Sequence, residues 1–435
     1  MHKKIFFLKS GRCAWGRCIF CGYGKIRYEI KSANDLKEEF NTFFDNLTQG
    51  HLHIKVFGSG SFLDENQVPK EARRYFTKKV RETGVERLTI ESRPEFITDE
   101  RLKDFAGIDL DIGVGLEVAD NVILDKLSKG FHRQDLEKAS ELIHSHGFNV
   151  RTYLLVNPPF VEDIKKSLSN SIKYASRFSD SIVLINLLPH ENSELFRMWL
   201  RGEWSFLSRE EFLDVTGEWK PDPKIELDVE TFRFIPRFPK ELRENLDGVG
   251  EKYLTHSHFE VWQDYLLRWY HPPASKEYLL FLPCSYRKPY SMSNTHKKII
   301  NKLSKLSNRL QIHEVMLSNA GVVPREFEGY YPFNSYNWDE KKENPEIRRR
   351  YIEVTGERIE GYLRNHGRSY QKIFCFLKYD SESYKSLEGC CENLKTEFSN
   401  LLSRDTYAKI RELGRSLQSE EALNDLYEGL ENEIN

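Results

Sequence analysis

The chain has 435 residues, with 65 Lys and Arg against 67 Asp and Glu and a formal net charge of −2, which excludes a global basic field of the kind that advertises nucleic-acid binding. Hydrophobic residues make up 39% and charged residues 30%, a globular composition long enough for two or three domains, each with its own core. No apolar run reaches the roughly 18 residues of a membrane span, no signal-peptide pattern opens the chain, and seven cysteines, three of them clustered, argue against a disulfide framework and for a reducing cytoplasm.

In chain order, the apolar run at 5–8 predicts a first strand, and it feeds the stretch KSGRCAWGRCIFCGYGK at 9–25. Cys13, Cys18 and Cys21 stand there in the spacing C-x4-C-x2-C. A closed structural zinc site wants four protein ligands, whereas a reactive centre keeps one position open. Iron–sulfur clusters are held by cysteine thiolates, normally four, so three would leave one iron free for a substrate or cofactor. The rival is a zinc site completed by a remote ligand, His51 or His53. Three buried structural thiols are the third reading.

Strand and helix patterns then alternate. The spacing of Leu36, Phe40, Phe43, Phe44 and Leu47 predicts a helix over 34–47. A strand over 53–57 runs into the small-residue turn Gly58-Ser59-Gly60-Ser61, and a helix over 73–82 stops at Gly84. Strands over 87–91 and 109–117 follow, with a short helix from Thr98 between them. A helix over 136–146, a strand over 150–156, a helix after Glu162 and a strand over 181–187 complete six β/α units. Such units build a parallel sheet or an incomplete barrel, whose active site collects at the C-terminal ends of the strands. Glu91 and Glu117 end the third and fourth strands, where a carboxylate bonds a ribose hydroxyl or an ammonium, or sits in a structural ion pair. Tyr153 and Asn157, near the end of the fifth, are further candidates.

The cysteine triplet, with Phe20 before its last member and Gly22 after it, resembles the radical S-adenosylmethionine (SAM) superfamily. The commonest spacing there has three residues between the first two cysteines; this chain has four. The resemblance implies a partial (β/α)6 barrel over 1–202. It also implies a [4Fe-4S] cluster on Cys13, Cys18 and Cys21, with SAM chelating the fourth iron. Gly58, Ser59 and Gly60 fall where the superfamily has a glycine-rich turn that receives the SAM amino group, and Glu91 and Glu117 join them as cofactor-binding candidates. FGSGSFLD, ESRPEFIT and GLEVAD followed by KG are similar to a narrower branch, the archaeosine-type radical SAM proteins and their elongator-like relatives.

Residues 203–274 read as a connecting region, with prolines among charges at 219–223 and 233–239. The aromatic group Trp262, Tyr265, Trp269, Tyr270 and His271 has mainly helical spacing, for which core packing is the usual explanation and a base-stacking platform the alternative. A second, smaller α/β domain occupies 275–390, with strands over 278–282, 312–317 and 373–377 and helices over 297–310 and 346–363. Charged helices with an acidic end fill 391–435.

The first strand of this domain runs into PCSYRKPYSMSNTH at 283–296. A cysteine near a lysine and a histidine has the makings of an activated nucleophile; a helix cap plus a buried cysteine is the alternative. The pattern PC-x3-KPY-x2-S-x2-H resembles the characteristic motif of archaeosine synthase, which joins a lysine amine to the nitrile of a cyano-deazaguanine in transfer RNA. That implies a catalytic set of Cys284, Lys288 and His296. The two resemblances fit one pathway, in which a radical SAM partner cleaves the lysine carbon–nitrogen bond and leaves a formamidine. The expected partners are a modified nucleobase in tRNA, a lysine-adding protein and an electron donor. Competing readings are another radical SAM reaction, such as methylthiolation or a small-molecule rearrangement, and a zinc-stabilised nucleic-acid-binding protein.

Overall fold

The computed structural model describes residues 2–47, 52–230 and 232–434, and the chain divides into two compact units, Met1–Phe234 and Ile235–Asn435. His51 lies outside the described residues.

The first unit is built on a seven-stranded sheet in the order of the chain: β1 (His2–Leu8), β2 (Leu52–Gly58), β3 (Arg87–Glu91), β4 (Leu110–Glu117), β5 (Asn149–Leu155), β6 (Ser181–Ile185) and β7 (Ile225–Asp228). Every neighbouring pair is parallel, with helices between strands, giving a curled half-barrel. The helices are made locally. Ser32 and Asp35 form a capping box at the start of Ala33–Asp45, and Leu36, Phe40 and Phe44 turn its apolar stripe inward. The other α/β crossovers deliver Lys70–Glu82, Arg133–Ser145 and Ile164–Ala175 against the same face. There Ile54, Val56, Leu88, Ile90, Ile112, Val114, Val150 and Leu154 pack under them. The alternate residues, among them Lys55, Thr89, Asp111, Arg151 and Tyr153, line the other face, the lumen of the half-barrel. β7 lies within the stretch read from sequence as connecting structure. It is a four-residue edge strand of mixed polarity, Ile-Glu-Leu-Asp, too short for a periodic signal.

The second unit carries a five-stranded sheet, ordered β10–β9–β8–β11–β12, from β8 (Tyr278–Pro283), β9 (Ile312–Ser318), β10 (Gly321–Pro324), β11 (Lys372–Cys375) and β12 (Ser399–Asn400). β10 alone is antiparallel, returning from β9. The chain leaves β8 for β9 on one side and comes back to β11 on the other, so a topological switch point lies beyond the ends of β8 and β11, the place where open α/β sheets bind ligands. Trp262, Tyr265, Trp269 and Tyr270 are all under 9% exposed, so this aromatic stripe is core. Charged helices, Arg404–Glu412 and Glu420–Ile434, close the unit.

Candidate functional site

The register of β1 and β2 pairs Leu8 with Gly58, so the cysteine loop and the glycine turn leave the sheet side by side. Gln67 joins them. Its amide nitrogen donates to the Ser10 carbonyl (3.1 Å) and the Ser59 carbonyl (2.7 Å), and its oxygen accepts from the Ser61 N–H (2.9 Å). The loop is then pinned at three further points. Trp15 Nε1 donates to the Ser128 carbonyl (2.7 Å), Ile19 N–H to Leu127 (3.1 Å), and Leu195 N–H to Ile19 (3.0 Å). Gly22 gives close approach: a Cβ there would lie 1.9 Å from His190 Nδ1. The His190 ring also meets Tyr23, with centroids 5.0 Å apart.

All three cysteines are free thiols. Burial pushes the Cys18 thiol up, and Lys129 and Arg93 pull it back toward the thiolate. Burial takes Cys21 to about 11, against the Gly24 N–H, which donates to its sulfur at 3.4 Å. A thiol-only donor set, three sulfurs in one pinned loop with two cations turned toward one of them, fits an iron–sulfur cluster. Among the described residues no trio of His, Cys, Asp or Glu side chains converges on a single ion position. His53 is remote from the loop. It pairs with Lys3 at the opposite end of the strands, five residues or about 17 Å from Gly58, and its Nε2 hydrogen-bonds Thr89 Oγ1 at 2.7 Å. The sequence-level zinc reading therefore loses His53 as its fourth ligand.

Gly58, Ser59, Gly60 and Glu91 line one small pocket together with Leu8, Val56 and Gln67. Gly60 has φ +125° and a Cβ there would sit 2.9 Å from Cys13 Cα, so the turn needs glycine for its backbone and for the cysteine loop beside it. The Ser59 hydroxyl is buried without a hydrogen-bond partner, an orphan that a polar cofactor group would satisfy. The Glu91 carboxyl is pushed up to about 7 by burial, opposed by the Tyr153 hydroxyl and the Gly58 N–H. Tyr153 reaches β3 from β5 because β4 has glycine between them: a Cβ at Gly113 would lie 2.8 Å from the Tyr153 ring. Glu117 is differently engaged. Its carboxylate is buried against Lys129 at 2.6 Å, so it faces the cysteine loop through that ion pair. Asn157 binds the Ser205 carbonyl through its side chain at 2.8 Å.

Sequence reasoning passed over Lys129, Arg93 and His190. Lys129 Nζ lies 4.9 Å from the Phe131 ring centre and 5.8 Å from that of Phe20, and the Arg93 guanidinium covers Trp15 at 5.5 Å and Phe131 at 5.2 Å. Arg93 also donates to the Lys129 carbonyl at 3.1 Å. The KG pair after GLEVAD and the arginine of ESRPE were their signals; His190 has none in its local sequence.

In the second unit, Cys284 and Lys288 follow β8 at the switch point. Burial takes Cys284 up to about 11, with Lys288 the chief opposing influence. Burial lowers Lys288, whose ammonium donates to the Ser285 carbonyl and lies 4.2 Å from the ring centre of Tyr336 and 5.0 Å from that of Tyr290. The Tyr290 and Tyr336 hydroxyls meet at 2.5 Å. His296 is sealed, with 0% exposure. Its Nε2 lies 2.9 Å from the Pro283 carbonyl and its Nδ1 2.9 Å from Arg325 Nη2. With both nitrogens taken, His296 holds the end of β8 against the helix Asn294–Leu303.

Residues 8–169 match the radical SAM superfamily, and residues 259–416 match a family described as a domain of unknown function, DUF5591. Archaeosine synthase subunit beta of Methanosarcina acetivorans is 30% identical over 45% of this chain and 60% of its own length, and that of Thermococcus kodakarensis 32% identical over 43% and 61%. Archaeosine synthase subunit alpha of Methanosarcina acetivorans is 43% identical over 16% of this chain and 12% of its own length. The chain spans about three fifths of the two beta subunits it matches. Residues 8–169 are thus a radical SAM domain, whose cofactors are SAM and a [4Fe-4S] cluster, on a chain related to the archaeosine synthase subunits.

Proposed function

We propose that this chain modifies a 7-deazaguanine base in tRNA, cleaving a carbon–nitrogen bond of a lysine attached to the base and leaving a formamidine. One observation carries the reading: a single chain has relatives named for both the beta and the alpha subunit of archaeosine synthase. Cys13, Cys18 and Cys21 would hold the cluster. Gly58, Ser59, Gly60 and Glu91 would hold SAM, through backbone groups, the unpartnered hydroxyl and the carboxyl. When bound, the pair would supply the radical chemistry that removes hydrogen from the lysine side chain. The protein's own part is positioning and exclusion of water. Lys129 and Arg93 favour thiolate at Cys18, and Gln67 fixes the turn against the cysteine loop. Cys284 and Lys288 would handle the lysine or the base in the second unit. An RNA substrate, a lysine-adding protein and an electron donor are the partners this requires.

The test is anaerobic reconstitution with SAM, a reductant and tRNA bearing the lysine adduct, followed by mass spectrometry of the nucleosides. A formamidine base formed together with 5′-deoxyadenosine supports the reading. SAM cleavage with an intact adduct refutes the substrate assignment.

A further inference from the structure

The lumen of the first unit holds a lysine that its surroundings do not explain. Lys55, midway along β2, is 8% exposed, yet its ammonium makes no hydrogen bond or ion pair among the described residues. The stem is buried, and the ammonium at its end is left to water or to a ligand. Burial and then the Arg151 guanidinium lower the affinity of Lys55 for its proton, and Glu226 is the leading opposing charge.

Arg151 repeats the pattern in part. It is 9% exposed and satisfies Glu226 at 2.5 Å, while its Nε is buried without a partner. The register puts both side chains on the lumen face. Lys55 pairs with Thr89 and Thr89 with Asp111, and Arg151 pairs with Gly113. Asp111 does not serve Lys55, because it takes the Arg87 guanidinium through both oxygens at 2.7 and 2.6 Å. An ammonium with no protein partner among the described residues and the unpartnered Arg151 Nε therefore share one lumen.

We infer that Lys55, with Arg151 Nε, is the receptor for a substrate oxyanion in the lumen, and that this oxyanion is an amino-acid carboxylate. The inference rests on the function proposed above and adds that the lysine is joined to the base through its side-chain nitrogen, which leaves its carboxylate free. Depth favours that source. Lys55 lies three residues, about 10 Å of strand, below Gly58 at the mouth. Six bonds separate the side-chain nitrogen of lysine from its carboxyl carbon, an extended span of about 7 Å. A base held at the mouth would thus bring the carboxylate down to the level where the Lys55 ammonium reaches up.

The test uses equilibrium binding to the reconstituted protein and thermal unfolding. The probes are a 7-deazaguanine nucleoside bearing lysine, the same compound with its carboxylate as a primary amide, and each with and without a 5′-phosphate. Wild-type protein is expected to bind the carboxylate form about ten- to hundredfold more tightly than the amide. Lys55→Met should erase that preference, Lys55→Arg should keep part of it, and neither should lower the melting temperature, because the ammonium has no protein partner to lose. A wild-type preference that follows the 5′-phosphate overturns the carboxylate assignment, and a preference retained by Lys55→Met overturns the role of Lys55. A lowered melting temperature in Lys55→Met with the carboxylate preference intact makes Lys55 structural and overturns the receptor. Equal binding of carboxylate and amide by wild type overturns this inference alone, whereas binding of neither overturns the substrate reading beneath it.

Discussion

Lys129 Nζ and Glu117 Oε1 stand 2.6 Å apart with both side chains 8% exposed, and the same ammonium bears on Cys18. The pair joins the end of β4 to the cysteine loop, so it sets the charge of the loop as well as its shape. Lys129→Met leaves a carboxylate buried alone and should cost about 3–5 kcal/mol in chemical denaturation. The double variant Lys129→Met with Glu117→Gln should recover much of that, while iron loading after reconstitution stays low. Full loading in a folded double variant would show that the cation has no part in holding the centre.

The Gly22–His190 contact makes a second test. Gly22→Ala puts a methyl group 1.9 Å from His190 Nδ1, so the ring must leave or the loop must shift. Iron content should fall, with a loss of about 1–3 kcal/mol from overpacking. Adding His190→Ala should restore a good part of both, and strictly additive losses would mean that the two sites do not couple.

Gly60 is expected to behave differently from Gly84. Both have positive φ, but Gly60 has Gln67 Oε1 at 2.3 Å from an added Cβ, whereas Gly84 has open space. Gly84→Ala should cost about 1 kcal/mol, for backbone strain alone. Gly60→Val should also weaken SAM binding, measured by isothermal titration in the reconstituted protein. An unchanged affinity in folded Gly60→Val would take the turn out of the site.

Glu91 gives a pH dependence. Burial raises its carboxyl to about 7 in the folded state from an ordinary 4.5, so between those values the folded protein binds the extra proton. Its contribution to stability is present below about 4.5 and is lost as pH rises through about 7. Denaturation at a series of pH values should show stability falling across that window by about 1–3 kcal/mol. Glu91→Gln should flatten it, and an identical slope in the variant would assign the effect elsewhere.

The sequence was most legible where chemistry or periodicity is local. Three cysteines within nine positions announce a centre, and the apolar alternation of 53–57 and 87–91 sets strands whose buried faces match. What sequence could not show is partnership across the sheet. Glu91 and Glu117 read alike as carboxylates ending strands; only the register and the bulge between Gly115 and Glu117 send one into the glycine-turn pocket and the other to Lys129. His296 read as one of a catalytic set with Cys284 and Lys288. Its burial between Pro283 and Arg325 follows from helix and strand packing, which spacing along the chain does not encode. His190 lies 168 positions from Gly22, and nothing near it hints at the contact.

In the second unit, His296→Ala should lower stability by about 2–4 kcal/mol, since it empties a sealed space and strands Arg325. Lys288→Met should leave the unfolding midpoint and SAM cleavage in place while impairing turnover of a lysine-bearing base. A Lys288→Met protein that handles the base as wild type does would confine this residue to packing.

The most direct measurement concerns hydrogen transfer. With the adduct deuterated throughout the lysine side chain, 5′-deoxyadenosine from the wild-type reaction should carry deuterium, and the tRNA should gain a formamidine base at a matching rate. Cys21→Ala should yield neither product. Unlabelled 5′-deoxyadenosine with an unaltered adduct, or full turnover in folded Cys21→Ala, would contradict the account.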